Sequence, residues 1–188
     1  MDSSEHAHLD ACQAGDISHF DALYTAHIDS VYRFLYRRTL VKEVAEDLTS
    51  ITFMKALESI RSFNPSKGEF RSWLYRIARN ALIDHYRSPA RKTVSIENVW
   101  DLSSNDFPQD DASRSLESAK LHQALQSLKP LQREVLMLRL WEGLSYKEIS
   151  RITKKSEGSL KVLVSRAVSD LRTQMPAFLL FLLFPRFL

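Results

Sequence analysis

A stretch of interspersed aromatic and basic residues holds the side chains best suited to chemistry in this sequence; it reads FRSWLYRIARNALIDHYR, from Phe70 to Arg87. Guanidinium groups pair with phosphates and aromatic rings stack on exposed bases, so the mixture suits a partly single-stranded nucleic acid. Apolar residues recur at helical spacing and predict one amphipathic helix. The residues left for the flanks and the solvent side are Trp73, Arg76, Arg79, Asn80 and Arg87. The alternative is an ordinary amphipathic helix whose arginines face water.

The elements around this stretch are predicted to be helical almost throughout, so the expected fold class is all-α. Apolar residues at helical spacing extend over 17–39 and 42–63. The segment 64–68 (NPSKG) predicts a break, and Ser88-Pro89 predicts the end of the Phe70–Arg87 helix. Only 4 Gly and 6 Pro leave too few turn formers for an all-β fold.

Basic charge is concentrated in one part of the chain, although the net charge of the whole is only +3. Thirteen basic and six acidic residues lie between Arg33 and Lys92, whereas five acids and no base lie between Thr93 and Ser113. This distribution indicates a polyanion-binding domain followed by a flexible, acidic linker. The predicted organisation is an N-terminal arm (1–16), a basic helical domain (17–92), the linker (93–115), a second helical domain (116–174) and a hydrophobic tail (175–188).

The second domain has the spacing of a helix-turn-helix. Ser145 and Glu148 form a capping-box pattern at the start of one helix, and Ser156 is a good N-cap for a last helix through about Thr173. A recognition helix presents short polar and cationic side chains to a DNA groove. The side chains expected on that exposed side are Ser159, Lys161, Ser165 and Arg166. The alternative is a helical hairpin that packs on another protein.

Several kinds of site are disfavoured by the sequence. The single cysteine, Cys12, excludes an internal disulfide and a cysteine-based zinc site, and it fits a reducing compartment. His6, His8 and His19 lie near it in the chain, but no second motif supports a metal, so we expect no metal and no cofactor. A nucleophile with its base, or a glycine-rich phosphate loop, is not recognisable, so we do not expect an enzyme.

The two ends of the chain predict a cytoplasmic protein with no stable membrane span. The opening MDSSEHAHLD is polar and acidic, unlike a signal peptide. The apolar tail AFLLFLLFPRFL has twelve residues, whereas a spanning helix needs about twenty. We expect the tail to pack on the protein's own domains, with capture by a partner protein or by a membrane surface as alternatives.

Three motifs in this order resemble the extracytoplasmic-function class of bacterial RNA polymerase sigma factors, over roughly Phe20 to Arg172. VAEDLTSITFMKAL at 44–57 resembles the family's polymerase-binding helix, and Phe70–Arg87 resembles its segment for melting and reading the −10 element. LRLWEGLSYKEISRITKKSEGSLKVLVSRAVSDLR at 138–172 resembles its −35-reading helix-turn-helix. The resemblance implies sigma regions 2 and 4, joined by the acidic linker. The chain departs from the family pattern at Ser50-Ile51, in the helix-turn-helix turn, which usually carries a glycine near Lys154, and at Leu163, where a basic residue is frequent.

The resemblance also implies roles for individual residues. The contacts with core polymerase would involve Asp47, Thr49, Ser50, Phe53 and Lys55. The −10 region, with one base flipped into the loop 64–69, would be held by Asn64, Lys67, Phe70, Trp73, Arg76, Arg79, Asn80 and Arg87. The −35 element would be contacted by Lys155, Ser156, Ser159, Lys161, Ser165 and Arg166.

The function that this resemblance implies is a dissociable initiation subunit, in a stress or envelope-signal response. Its partners would be promoter DNA, core RNA polymerase (the clamp of the largest subunit and the flap of the second largest) and an anti-sigma factor. The linker would thread toward the polymerase active-site cleft. The alternative is a stand-alone helix-turn-helix regulator, which has no reason to carry a polymerase-type helix before the basic, aromatic segment.

Overall fold

A computed structural model describes residues 3–39, 41–87, 124–125 and 127–174 of the protein. The chain divides into two compact units, Met1–Val94 and Ser95–Leu188. The described residues form helices and no strand, which confirms the predicted all-α class. The predicted linker and hydrophobic tail lie outside the described residues, so their bounds remain predictions.

The described part of the first unit contains four α-helices: α1 (Ser3–Ala14), α2 (Phe20–Thr39), α3 (Lys42–Ser59) and α4 (Phe70–Arg87). Short 3₁₀ turns precede α2 at Ile17–His19, extend α3 at Ile60–Ser62, and occupy Pro65–Lys67 in the predicted break. Helix α4 has the bounds that its apolar spacing predicts. Helices α2, α3 and α4 pack against one another. Their shared core is built from large side chains that are fully buried, including Phe34, Leu35, Leu48, Leu74 and Leu82.

Helix α1 occupies most of the predicted N-terminal arm and packs against α2 and the turn at Ile60–Ser62. Its Leu9 and Cys12 are both only 1% exposed. Burial, followed by the charge of Asp16, raises the pKa of the Cys12 thiol, so the thiol is a core group rather than a reactive one. A 2.6 Å contact between Glu5 Oε1 and His27 Nε2 ties α1 to α2.

The second unit contains α5 (Pro130–Leu140), α6 (Tyr146–Thr153) and α7 (Glu157–Gln174). Pro130 stands at the start of α5, where its missing N–H leaves no helical hydrogen bond unmade. At the start of α6, Ser145 Oγ accepts from the Glu148 N–H (3.3 Å) and the Ser145 N–H donates to Glu148 Oε2 (2.7 Å). The predicted capping box is therefore present, and α5, α6 and α7 pack together as the helix-turn-helix pattern requires.

The turn between α6 and α7 has a left-handed residue that is not glycine. Lys154 has φ 58° and ψ 29°, and it ends α6. A side chain in this conformation costs free energy because its Cβ crowds the following carbonyl. A glycine at this position would relieve that crowding.

Within the residues that the structure describes, no helix combines the length and the hydropathy that a membrane crossing requires. In the same residues, His, Cys, Asp and Glu side chains form no group of three that could hold a metal ion. His8 and His19 instead contact each other, with their Nδ1 atoms 2.9 Å apart.

Candidate nucleic-acid and polymerase interfaces

The loop 64–69 is exposed and internally braced. Asn64 Oδ1 accepts hydrogen bonds from the Ser66 N–H (2.9 Å) and the Ser66 hydroxyl (2.7 Å), which shapes the turn at Pro65–Lys67. Gly68 closes the turn with φ 152°, a conformation that side chains disfavour. Asn64 and Lys67, both predicted −10 residues, are exposed in this loop. The loop thus offers polar groups on a shaped backbone.

One stripe of exposed side chains runs along α4, the helix that follows this loop. Arg76, Asn80, Asp84 and Arg87 are exposed at spacings of four, four and three residues, so they share one face. Three of them are predicted −10 residues; the fourth, Asp84, is an acid in the middle of the stripe. Lys55 Nζ of α3 lies 3.5 Å from Asp84 Oδ2 and offsets its charge. Arg79 is half-buried at the flank of the stripe.

Two predicted −10 residues, Phe70 and Trp73, lie in the core instead of on the surface. Phe70 is 0% and Trp73 is 9% exposed. With Phe63 they form an aromatic cluster whose ring centroids are 5.4–5.5 Å apart. Because both rings are covered in this structure, DNA bases cannot stack directly on them. The helical period placed Trp73 at the flank, but the aromatic cluster extends the buried face of α4 to include it.

The residues of α3 that were predicted to bind polymerase are likewise partly exposed and partly buried. Asp47, Ser50 and Lys55 are exposed, whereas Thr49 is 5% and Phe53 is 4% exposed. The Thr49 hydroxyl donates to the Ala45 carbonyl (2.7 Å), and Phe53 packs edge-on to Tyr24. These two residues can shape the helix but cannot contact a partner directly.

The exposed face of α3 includes two apolar residues that the sequence analysis did not select. Ile51 is 39% and Met54 is 62% exposed, and both lie near Asp47 and Ser50 on the helix surface. Exposed apolar side chains with a polar rim are typical of a protein-binding surface. The apolar spacing of α3 places Ile51 on the same face as Leu48 and predicts its burial, so its exposure corrects that expectation. For Met54, the position off the apolar stripe was an available signal.

Helix α7 and the turn before it expose every residue that the sequence analysis assigned to the −35 element. These are Lys155, Ser156, Ser159, Lys161, Ser165 and Arg166. Ser156 also caps the helix, since its Oγ accepts from the Ser159 N–H (3.3 Å). The opposite side of α7 buries an aliphatic stripe consisting of Leu160, Val164, Ala167 and Leu171.

Three further residues belong to this surface but were not predicted. Val162 is 49% exposed between the polar positions of α7, and a small apolar side chain there can contact a thymine methyl. Gly158 lies in the first turn of α7, where an added Cβ would meet nothing within 4 Å. The Tyr146 ring lies 4.9 Å from the Arg139 guanidinium and 5.9 Å from Lys161 Nζ, so it helps to orient Lys161.

Comparison with known proteins identifies both units. The family model for sigma-70 region 2 matches residues 23–92, and the model for sigma-70 region 4 matches residues 118–171. The extracytoplasmic-function sigma factor SigM of Bacillus subtilis is 35% identical over 153 residues, which cover 81% of this chain and 92% of SigM. The chain belongs to the extracytoplasmic-function sigma factors of the sigma-70 family.

Other relatives agree with this assignment. The sigma factor is 39% identical over 171 residues to the extracytoplasmic-function sigma factor BldN of Streptomyces coelicolor, an overlap of 89% of this chain and 64% of BldN. Among solved structures, RpoE from Bartonella quintana, in complex with the anti-sigma factor NepR, matches 82% of this chain and 95% of its own, at 25% identity and a TM-score of 0.65. CnrH, in complex with the cytosolic domain of CnrY, shares the fold at 22% identity and a TM-score of 0.67, over 91% of this chain and 96% of its own.

These findings confirm the family predicted from the sequence and decide between the two functions considered there. The protein is a transcription initiation factor and not an enzyme, and the sigma function is supported over that of a stand-alone regulator.

Proposed function

We propose that this sigma factor binds core RNA polymerase, directs it to promoters with a specific −10 and −35 element, and helps to open the −10 region. The observation that carries the proposal is the pairing, in one unit, of a braced polar loop (64–69) with the exposed basic stripe of α4. A loop of this kind can hold one unstacked base, while the stripe contacts phosphates.

Melting of the −10 region requires that the lost base stacking be offset. Extruding one base costs a few kcal/mol, roughly what polar contacts in a pocket and phosphate contacts can return. Asn64 and Lys67 supply the pocket contacts in this proposal, and Arg76, Asn80 and Arg87 hold the displaced strand, with Arg79 at the flank. Base stacking on Trp73 has no part in it, because that ring is in the core.

Polymerase binding is proposed for the exposed face of α3. Asp47, Ser50 and Lys55 supply polar contacts to the clamp of the largest subunit, and Ile51 and Met54 supply apolar area. The second unit would meet the flap of the second-largest subunit. The acidic linker would reach toward the active-site cleft, where its charge mimics that of a nucleic acid.

Recognition of the −35 element is proposed for α7 in the major groove. The N-terminal half of the helix presents Ser159 and Val162 to base edges, while Lys155, Lys161 and Arg166 contact phosphates. Gly158 leaves room for the DNA backbone or a base edge to approach closely.

Regulation by an anti-sigma factor in the cytoplasm is the remaining part of the proposal. Its support is that RpoE, the solved relative at 25% identity, is bound to an anti-sigma factor. Such a partner would cover the exposed Ile51 and Met54 and so compete with polymerase.

The deciding experiment is run-off transcription by purified core polymerase, with and without the protein, on a library of promoters with randomised −10 and −35 elements. We expect the protein to direct transcription to a defined subset, and to bind duplex DNA weakly when alone. Tight binding of duplex DNA by the isolated protein, with no redirection of polymerase, would refute the proposal.

A further inference from the structure

The C-terminal end of α1 contacts the backbone immediately before the loop 64–69, for which base binding is proposed. Gln13 Nε2 donates to two carbonyl oxygens there, that of Phe63 at 2.6 Å and that of Ile60 at 3.2 Å. Gln13 lies ahead of the residues matched by the region 2 family model, which begins at residue 23. These two hydrogen bonds therefore connect α1 with the loop across 47 and 50 residues of sequence.

Phe63 determines the direction in which the chain enters the loop. The Phe63 N–H donates to the Ile60 carbonyl (3.1 Å) and closes the 3₁₀ turn, after which Phe63 is extended (φ −65°, ψ 132°). Its side chain is held by Phe70 and Trp73, whereas its carbonyl, the last group before Asn64, is held by Gln13. Without that donor, the peptide joining Phe63 to Asn64 could rotate.

The other parts of the loop are held by neighbouring residues in the sequence. Asn64 braces the turn from within through Ser66. At the exit, the Glu69 carbonyl accepts from the Ser72 hydroxyl (2.9 Å) and the Trp73 N–H (3.2 Å), both in the first turn of α4. Gln13, by contrast, is far from the loop in sequence, and it holds the backbone at the start of the loop.

We propose that Gln13 is a positioning residue for −10 base readout: it orients the Phe63–Asn64 peptide so that Asn64 presents its polar groups to the flipped base. The inference rests on the proposed function of the loop. Base discrimination depends on the placement of polar groups to within a few tenths of an ångström. Loss of the Gln13 N–H donors should therefore reduce the preference between bases at the −10 element more than it reduces overall binding of promoter DNA.

The test uses Gln13→Met, which preserves the length of the side chain and removes its N–H donors, together with Gln13→Ala. Each variant forms holoenzyme with core polymerase, which transcribes a promoter library that has a fixed −35 element and a randomised −10 element. Sequencing of the transcripts gives the preference for each base at each −10 position. Asp10→Ala, an exposed change on the same helix, is the matched control, and Asn64→Ala is the positive control.

We expect Asn64→Ala to flatten the preference at one −10 position, and Gln13→Met and Gln13→Ala to lower it at that same position by about fivefold. Asp10→Ala should leave it unchanged. A purely structural role would reduce the amount of active protein, and hence transcription from all sequences alike, without changing the ratio between bases. If Asn64→Ala flattens the preference and both Gln13 variants retain it, the inference is wrong and the proposed loop function stands. If Asn64→Ala changes no preference, the proposed loop function fails, and the inference fails with it.

Discussion

Helices α4 and α7 are each 18 residues long and each carries predicted DNA contacts, yet they present those residues in different ways. Nine residues of α4 are buried, including Phe70, Trp73, Tyr75 and Tyr86. Among the side chains described in α7, only an aliphatic stripe of four is buried. The aromatic residues of α4 that resemble base-stacking groups thus stabilise its core, and the proposed contact with DNA is left to the exposed stripe of α4 and the loop 64–69. Helix α7 can offer its own polar face directly.

The largest effect expected is that of Trp73→Ala on stability. Removal of a ring packed against Phe63 and Phe70 leaves a cavity, so the free energy of unfolding should fall by about 3 kcal/mol. Denaturant unfolding of the full chain measures it. Arg76→Ala, three residues later on the exposed stripe, should change it by less than about 0.5 kcal/mol. Undiminished stability of Trp73→Ala, with a selective loss of open complexes, would restore the stacking role to this ring.

The next largest effect is that of Arg166→Ala on −35 binding, with stability unchanged. Affinity of holoenzyme for duplex promoter DNA should fall about tenfold, and the slope of log affinity against log salt should decrease by about 1. Fluorescence anisotropy at several salt concentrations measures both quantities. Arg172→Ala, also exposed but near the far end of α7, is the control and should leave the slope as it is. If both variants lower the affinity and the salt slope equally, α7 contacts DNA through its overall positive charge and not through a specific contact of Arg166.

Gly158→Ala should change the stability of the fold and its binding to DNA in opposite directions. The added methyl meets nothing within 4 Å, so the fold should gain about 0.5–1 kcal/mol from the lower chain entropy of the unfolded state. Binding of holoenzyme to the −35 element should weaken, because the methyl occupies space proposed for DNA. Thermal unfolding and promoter affinity are measured on the same sample. Greater stability with unaltered affinity would show that DNA does not approach this turn closely.

The smallest effect is expected for Asp84→Asn, within the stripe of α4. The Lys55–Asp84 pair is well exposed, so its loss should change stability by less than about 0.5 kcal/mol. Removal of an acid between Arg76 and Arg87, which are proposed to contact phosphates, should strengthen binding of holoenzyme to forked −10 DNA, and more so at low salt. Asp21→Asn, an exposed change on α2, is the charge-matched control. Weaker binding by Asp84→Asn would indicate that Asp84 itself contacts DNA.

Local patterns were sufficient for much of the fold. The bounds of α4, Pro130 at the start of α5, the Ser145–Glu148 capping box and the Ser156 cap all follow from residues within one helical turn. The exposed polar residues of α7 were predictable for the same reason, since its buried positions form a single aliphatic stripe. Helix α1 was not recognised, because its buried residues Leu9 and Cys12 are few among polar ones.

The sequence by itself determined the sigma family, the all-α class and the identity of the charged and polar groups that can meet DNA, because these depend on composition and short-range spacing. Only the tertiary structure decided which of those groups are available. Whether Thr49, Phe53 and Trp73 face a partner or the core depends on which neighbours cover them. Phe70 and Trp73 lie one turn apart on α4, but only packing brings Phe63, from outside that helix, against them. The two hydrogen bonds from Gln13 to the loop entry are likewise a product of the fold, since no local pattern connects residues 47 and 50 positions apart.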